Sequence, residues 1–335
     1  MATYLGTHGG RIQNYTTDPD NTNNGEVWYN STSNVIKMEA TVLAGSWATG
    51  GNMNNGRFDI ATFGILTAAL AAGGGDTGPP TGGQDTELYN GTNWTEVNNL
   101  NTSRYSLRGA GASSSSGIAF GGYGPAGTGN PNLNVTEQWN GTNWTSVNNM
   151  NQSAQVRGPA GIVTAALAIG GGGPSGSIAN TEQWNGTNWT EVGDLNAAAA
   201  GQGAFGTTTA ALSTSSGGTV TGATESYNGT NWTEVNDLTT SRRSLGAFGT
   251  QTSGLAFGGE TPSTASVDLT EEWNGTNWTE VADMTTALRT VGGASYNTGN
   301  SSGLSIGGIT NAGNASNIAL EWTGAGPSVK TISTD

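Results

Sequence analysis

The sequence contains no cysteine and a single histidine, His8. Disulfides, thiolate catalysis and cysteine-based metal sites are therefore excluded, and a histidine base or histidine metal cluster is nearly excluded. Positive charge is also scarce: 10 Lys and Arg stand against 24 Asp and Glu, for a formal net charge of −14. Because nucleic-acid binding requires clustered positive charge, we predict no nucleic-acid partner. We also predict no cofactor.

Long apolar runs are missing as well. No stretch approaches the roughly 18 apolar residues that a membrane span requires, so no membrane insertion is expected. The opening "MATYLGTHGGRIQNY" lacks the basic and apolar regions of a secretory signal peptide. The frequent Asn-x-Thr sequons, such as Asn90-Gly-Thr, are therefore interpreted as turns and not as glycan sites.

Apolar residues make up only 33% of the chain, and 56 of its 335 residues are glycine. Such a composition is compatible with disorder, but 11 tryptophans argue against it, since disordered chains are poor in aromatics. Many turns and closely packed strands are the other way to use so much glycine.

One pentapeptide, Asn-Gly-Thr-Asn-Trp, occurs five times, ending at Trp94, Trp144, Trp189, Trp232 and Trp278. The spacings of 50, 45, 43 and 46 residues suit four short antiparallel strands per unit, as in propeller blades. Asn-Gly is a strong hairpin signal, so the pentapeptide is predicted to connect the third and fourth strands. The aromatic before it and the Trp after it are expected to pack against the neighbouring blade.

Each unit reads as a small-residue strand, an apolar strand ending in Gly-Gly, a strand with a Thr-Glu-x-aromatic pattern, and the Trp strand. The first strand is placed innermost, where only Gly and Ala fit. Six second strands and six third-strand aromatics are present, but only five pentapeptides. "GSWATGGNM" supplies the missing fourth strand, because Trp47 stands six residues before Met53 as Trp94 stands before Leu100. The all-β chain is thus predicted to form a six-bladed propeller that closes by pairing the Trp47 strand with the Trp322 strand. The structural repeat residues are Trp47, Trp94, Trp144, Trp189, Trp232 and Trp278.

The order of Gly-Gly, an aromatic, a Trp five residues on, and an Arg at the start of the next unit resembles the kelch repeat. The resemblance covers residues 47 to about 322, and it implies propeller blades with this strand order. The units are not identical: the third has Ala154 at the arginine position with Arg157 further on, and the fourth has Ala199. The fourth blade is therefore expected to be the loosest, or to be shaped for a partner.

Residues 1–40 do not fit the repeat and are predicted to form an N-terminal arm and hairpin, with residues 41–335 forming the propeller and a short tail. Val27-Trp28-Tyr29 and Val35-Ile36-Lys37 flank a turn. The stretch "DPDNTNNGEVWYNSTSNVIK" resembles short segments in structural proteins of tailed bacteriophages, especially marine ones, where they precede fibre or kelch-like modules. The resemblance implies attachment to a virion through the arm, with Trp28, Tyr29 and Ile36 as attachment residues. The alternative is a hairpin that packs on the propeller. The tail "GPSVKTISTD" is expected to extend the closing blade or to reach a neighbouring subunit.

We find no pattern for catalysis or metal binding. The turns lack the aspartate of sialidase-type Asp-box turns, and most glutamates belong to the two repeated Thr-Glu patterns, so no carboxylate pair stands out for glycoside hydrolysis. Arg57, Arg104, Arg242 and Arg289 recur near the first strands. They are predicted to pair with repeat carboxylates such as Glu87, Glu137, Glu225 and Glu271, although an anion near the axis is the alternative reading.

The loops between second and third strands vary, whereas the pentapeptide turns hardly change. Variation on a rigid scaffold is typical of recognition surfaces, and Tyr123, Asn130 and Asn132 in the longest loop are the candidate contacts; freely drifting loops are the alternative. We therefore predict a non-enzymatic phage virion protein, made in the bacterial host cytoplasm. Its expected partners are other virion proteins and a host surface glycan or receptor; association of its own copies on the particle is left open. A cellular carbohydrate-binding or adaptor propeller is the alternative, and a glycan-cleaving enzyme is a weaker one.

Overall fold

A computed structural model describes residues 12–19, 26–42, 44–76, 83–125, 132–216, 220–296 and 298–332. The chain divides into two compact units. The larger is Ser46–Thr323, and the smaller combines Met1–Gly45 with Gly324–Asp335. The described ranges contain no helix that is long and apolar enough to cross a membrane.

The described residues form strands only, in seven four-stranded sheets. In chain order the strands are β1 (Gln13–Tyr15), β2 (Val27–Asn30), β3 (Val35–Val42), β4 (Ser46–Thr49), β5 (Ala61–Ile65), β6 (Ala68–Ala72), β7 (Thr86–Tyr89), β8 (Trp94–Val97), β9 (Arg108–Ser113), β10 (Ser116–Phe120), β11 (Thr136–Trp139), β12 (Trp144–Val147), β13 (Gly158–Ile162), β14 (Ala165–Gly173), β15 (Gly176–Trp184), β16 (Trp189–Glu191), β17 (Gly203–Thr207), β18 (Ala210–Ser216), β19 (Thr221–Tyr227), β20 (Trp232–Val235), β21 (Gly246–Thr250), β22 (Ser253–Phe257), β23 (Thr270–Trp273), β24 (Trp278–Glu280), β25 (Gly292–Ala294), β26 (Ser302–Ile306), β27 (Ala319–Thr323) and β28 (Gly326–Ile332).

Six of these sheets make up the larger unit. Blades 1 to 5 are the consecutive antiparallel sets β5–β8, β9–β12, β13–β16, β17–β20 and β21–β24, and blade 6 has the order β25-β26-β27-β4. The first strand of every blade contacts the first strands of the two neighbouring blades, and β25 returns to β5. These strands therefore surround a central axis, and the unit is a six-bladed β-propeller. The predicted closure is confirmed, because Trp47 lies opposite Trp322 in the antiparallel β4–β27 pair.

Glycine in the second strands makes room for aromatic rings between blades. A Cβ placed on Gly117 would lie 2.2 Å from the Phe63 ring of the preceding blade. Gly254 stands in the same way against Phe205, and Gly303 against Phe248, at 2.3 and 2.4 Å. The high glycine content thus reflects close packing between blades and not disorder.

The pentapeptide turns have the predicted place between third and fourth strands. In the first of them Gly91 has φ +92°, and Asn90 Oδ1 accepts the N–H groups of Thr92 and Asn93 at 3.0 and 2.8 Å. The turn also joins blades. Asn98 of blade 1 donates its amide to the Thr142 carbonyl and Asn143 Oδ1 of the next turn, at 3.0 and 2.8 Å.

The repeated tryptophans pack between neighbouring blades: Trp47, Trp144 and Trp189 each lie against a phenylalanine ring of the preceding blade. Every repeated tryptophan is at most 8% exposed and lies with its ring centroid 4.9–5.5 Å from that of its own blade's third-strand aromatic. The indole N–H of four of them donates to a threonine hydroxyl of the preceding blade at 3.0–3.2 Å: Trp144 to Thr86, Trp189 to Thr136, Trp278 to Thr224 and Trp47 to Thr270. Blade 4 lacks this bond. The equivalent donor and acceptor, Trp232 Nε1 and Thr181 Oγ1, are both buried and have no hydrogen-bond partner in the described chain.

The predicted pairing of arginines with repeat carboxylates is confirmed for three of the four. Arg57 pairs with Glu87, Arg104 with Glu137, and Arg242 with Glu271, all almost fully buried. Arg157 reaches Glu182 at 3.4 Å in spite of its shifted position. For Arg289 the prediction is wrong: Leu288 occupies the repeat position, and Arg289, one residue further on, pairs with Glu260. Glu225 accepts from the Asn196 backbone and side-chain amides, with no arginine among its described partners.

The smaller unit is a single mixed sheet with the order β1-β2-β3-β28. β2 and β3 form the predicted antiparallel hairpin, and β1 pairs with β2 in parallel. The tail was expected to extend the closing blade or to reach another subunit. Instead, Gly326–Ile332 pairs antiparallel with Val35–Val42, so both ends of the described chain contribute to one sheet.

Candidate functional site

A cavity with a volume of ≈ 260 Å³ lies on the axis of the propeller. It opens where the first strands turn into the second strands, which is the same face as the pentapeptide turns. Its wall consists of the ends of the inner strands, chiefly Thr62, Ala110, Gly161, Thr207, Thr250 and Ser295, together with Tyr296. The cavity therefore lies on the face opposite the variable loops.

The wall of this cavity carries hydroxyl groups and backbone polar groups but no formal charge. None of its residues is Asp, Glu, His, Lys or Arg. Thr62 Oγ1 spans neighbouring blades by donating to the Gly293 carbonyl at 2.9 Å. Such a wall suits a neutral ligand that forms hydrogen bonds, because an isolated charge would be desolvated there without a partner.

Tyr296 enters the cavity from an irregularity of the repeat. The first and second strands of blades 1 to 5 are joined by two residues, such as 66–67, whereas those of blade 6 are joined by residues 295–301. The cavity was not predicted from the sequence. The feature that could have indicated it is the longer connection "SYNTGNS" in the sixth unit.

At the opposite end of the axis a ring of backbone hydrogen bonds joins the blades. Its members are the residues just before the inner strands, and all have φ between +46° and +70°: Asp59, Ser106, Val156, Gly201, Ser244 and Thr290. The N–H of each donates to the carbonyl of the preceding blade's member at 2.6–3.2 Å, except between Ser106 and Asp59. There the side chains make the link instead. Ser106 Oγ donates to Asp59 Oδ2 at 3.1 Å, and Arg108 pairs with Asp59 Oδ1 at 3.4 Å. We call this ring the collar.

The predicted contact residues Tyr123 and Asn132 lie near the collar, whereas Asn130 is outside the described residues. Tyr123 forms isolated bridges with Tyr105 and Asn132, and its ring centroid is 5.3 Å from that of Tyr105. Burial raises the pKa of Tyr105, and Tyr123 and Asp59 add to the effect. Asn132 is only 4% exposed, and its Oδ1 has no hydrogen-bond partner in the described chain. Of the two described candidates, only Tyr123 is partly exposed.

Arg243 and Arg289 lie beside the collar. Arg289 was predicted to pair with a repeat carboxylate, with an anion near the axis as the alternative, whereas Arg243 was not singled out. Arg243 Nε donates to Glu260 Oε1 at 2.7 Å, and Arg289 Nη1 donates to Glu260 Oε2 at 2.9 Å. Their side chains are 37% and 28% exposed, in contrast to the buried repeat arginines. The signal in the sequence was Glu260, an acid directly after the Gly-Gly of the fifth unit. We call these three residues the arginine–glutamate triad.

The predicted attachment residues lie in the smaller sheet. Trp28 is fully buried and donates to Asp18 Oδ1 at 3.2 Å, while the Tyr29 hydroxyl donates to Asn34 Oδ1 at 3.0 Å and Ile36 is half-buried. Lys37 pairs with Asp18 at 2.6 Å, and this hydrogen bond is the main cause of the lowered pKa of Asp18. The described part of the chain contains no group of three His, Cys, Asp or Glu residues placed to hold a metal ion.

Six blades around an axial cavity define the chain as a β-propeller protein. Its fold is similar to that of the solved structure titled "Structure of YjhT", with a TM-score of 0.67 and 12% identity over 82% of this chain and 97% of that one. No protein-family model and no curated protein matches the sequence. Since 301 solved chains match this fold, the fold by itself does not select a function.

Proposed function

We propose that this chain is a non-enzymatic structural protein of a phage virion. The smaller sheet attaches it to other virion proteins, and the propeller presents its variable loops to a glycan or protein receptor on the host surface. Such a protein is made in the host cytoplasm and ends in the particle.

The observation that carries the proposal is the smaller sheet. A propeller ring closes without further strands, because the β4–β27 pair already completes blade 6. Yet this chain builds a second sheet from β1, β2, β3 and β28. The described part of the phage-like stretch "DPDNTNNGEVWYNSTSNVIK" includes β2, the turn after it and the start of β3. A role in attachment for the smaller sheet, with recognition left to the propeller, accounts for the presence of this extra sheet.

Recognition by the variable-loop face is supported by the contrast between the two faces. Three of the five pentapeptide turns accept hydrogen bonds of the Asn98 type from the preceding blade, which indicates that their sequence serves the ring. The loops after the second strands differ from blade to blade in length and composition, as do the recognition loops of other rigid scaffolds. The resemblance to kelch repeats fits such a binding propeller.

The test compares phage particles assembled with the full chain and with a variant reduced to Ser46–Thr323. This variant keeps β4 and therefore the closed ring. We expect it to remain folded but to be absent from purified particles. A Tyr123→Ala variant is the matched control: it should enter particles normally and reduce adsorption to host cells. Equal incorporation of the reduced variant would refute attachment through the smaller sheet.

A carbohydrate-binding propeller without a virion role is the second candidate, and the uncharged axial cavity favours it. Tyr296→Ala and Thr250→Val should then abolish binding to a glycan array while Tyr123→Ala leaves it intact. Turnover of any glycoside by the unmodified chain would overturn the non-enzymatic part of both proposals.

A further inference from the structure

We infer that the arginine–glutamate triad is a binding site for an oxyanion group, a carboxylate, sulfate or phosphate, carried by the ligand of the variable-loop face. This inference rests on the proposed recognition role of that face and names the chemistry that it recognises.

The triad differs from the other arginine sites of the propeller in its balance of charge. The side chains of seven propeller arginines are described, and five of them pair one to one with their own carboxylate. Arg243 and Arg289 instead share Glu260. The triad is therefore the one place among the described ion pairs of the propeller where positive charge exceeds negative, in a chain of net charge −14.

The backbone bridges beside the collar form without arginine in other blades. Arg243 and Arg289 occupy equivalent positions in blades 5 and 6, each one residue before a collar member. The equivalent residues of the other blades are Phe58, Tyr105, Gln155 and Ala200. The backbone bridge that Arg243 makes with Glu260 is made equally by Phe58 with Gly75 and by Gln155 with Gly172. Since uncharged residues build the same bridge, the bridge does not account for the two guanidinium groups.

The two arginines also lie close together in the ring. Ser244 and Thr290 are consecutive collar members joined by a backbone hydrogen bond of 2.6 Å, so the two arginines start from adjacent points of the collar. Arg289 also donates to the Thr264 carbonyl at 3.2 Å. The loop that carries Thr264 is held to the next loop, because Asn311 accepts from Ser266 N–H at 2.7 Å and donates to the Ser266 carbonyl at 3.1 Å.

Donor groups remain for a ligand. A guanidinium has five N–H donors, and each arginine uses one nitrogen toward Glu260. With more than a quarter of each side chain exposed, an incoming oxyanion can accept from both forks, the geometry that arginine offers to carboxylate and phosphate. Glu260 orients both side chains and competes with the ligand for them.

The experiment measures binding of the full chain to a carboxylated polysaccharide (polygalacturonate), a sulfated one (dextran sulfate), inorganic phosphate and neutral dextran. Binding to at least one anionic probe but not to dextran is expected, and the strongest probe identifies the oxyanion. Arg243→Gln and Arg289→Gln should each weaken binding about fivefold, the order of one unit charge at contact distance in water. Glu260→Gln should strengthen it by a similar factor, since it removes the competing carboxylate.

Lys37→Gln is the matched control, because it removes one positive charge from the smaller sheet and should leave binding within about twofold, well below the effect of one contact charge. Thermal unfolding of each variant separates binding from folding. Weaker binding by Glu260→Gln, or arginine variants that bind like the unmodified chain, would overturn the site. Failure to bind any anionic probe would do the same. A chain that binds an oxyanion but never enters particles would refute only the virion role.

Discussion

Trp47 and Trp322 lie opposite each other in neighbouring strands, with ring centroids 5.2 Å apart, although they come from the two ends of the propeller sequence. Trp47 also donates its indole N–H to Thr270 of blade 5 at 3.0 Å. One side chain thus joins the first propeller strand both to its own blade and to the blade before it.

Trp47→Ala should therefore destabilise the ring at the strand pair that completes blade 6. We expect a loss of about 3–5 kcal/mol in the free energy of unfolding, the usual cost of removing a buried Trp. Urea denaturation followed by tryptophan fluorescence measures it. Ser46→Ala, at an exposed position of the same strand, should change stability by less than about 0.5 kcal/mol; a similar loss from both variants would contradict the closure argument.

Blade 6 shows that the buried Arg–Glu pair is replaceable. Leu288 and Leu320 stand where blade 5 has Arg242 and Glu271, and both are buried in one apolar cluster. Glu271→Leu alone should cost about 3–5 kcal/mol, because it leaves a buried guanidinium without its carboxylate. Adding Arg242→Leu should restore part of that loss. A double variant less stable than Glu271→Leu would show that the pair is worth more than its apolar substitute.

Among the described residues, the blade 3–4 interface lacks the indole-to-threonine hydrogen bond that four other interfaces have. Thr136→Val should leave the buried Trp189 N–H without the acceptor that it now has at 3.0 Å, at a cost of about 1–3 kcal/mol. Thr181→Val should be nearly neutral, since neither Thr181 Oγ1 nor Trp232 Nε1 has a partner in the described chain. Chemical denaturation of the two variants side by side decides this, and equal losses would mean that the Trp232 bond does form in solution.

Tyr89 predicts a loss of stability at high pH. Burial, and next the hydrogen bond from its hydroxyl to Glu321 Oε1, raise the pKa of Tyr89 to about 12. The unfolded chain ionises this phenol at about 10, so the folded chain holds more protons between these values. The contribution of the protonated Tyr89 phenol to folding stability is therefore present below pH 10 and lost as pH rises toward 12.

Phenolate absorbance and denaturant midpoints between pH 9 and 12.5 measure this effect. Tyr89→Phe should flatten the fall in stability, and Glu321→Gln should lower the pKa of Tyr89. Some slope should remain, because burial also raises the pKa of Tyr105 and Tyr227. An unchanged profile in Tyr89→Phe would exclude Tyr89 as a source of the slope.

Gly117 tests the packing of aromatic rings between blades. Gly117→Ala places a Cβ 2.2 Å from the Phe63 ring and should destabilise by about 1–3 kcal/mol through overpacking. Phe63→Leu in the same chain should recover part of the loss by vacating space. For comparison, Gly172→Ala meets only the flexible Gln155 side chain at 3.3 Å and should be milder. A Gly117→Ala variant as stable as the parent would show that the blades can separate without cost.

Much of the ring could be predicted because each of its features is local and repeated. The Asn-Gly turn, the Gly-Gly bend and the Trp strand follow from short-range backbone chemistry. Six copies of a pattern also identify the departures, so the displaced strand around Trp47 was recognisable. The misassigned Arg289 shows the limit, since one residue of offset separates a buried repeat arginine from an exposed one.

The amino-acid sequence by itself determined the number of blades, their strand order and the strand that closes the ring, since repeated local signals specify them. Only the tertiary structure decided which residues from different blades meet. The axial cavity, the collar and the triad of Arg243, Glu260 and Arg289 each combine side chains or backbone groups from separate units, and no local pattern encodes that convergence. The same holds for Gly326–Ile332, because a short strand pairs with whichever sheet edge the rest of the fold leaves open.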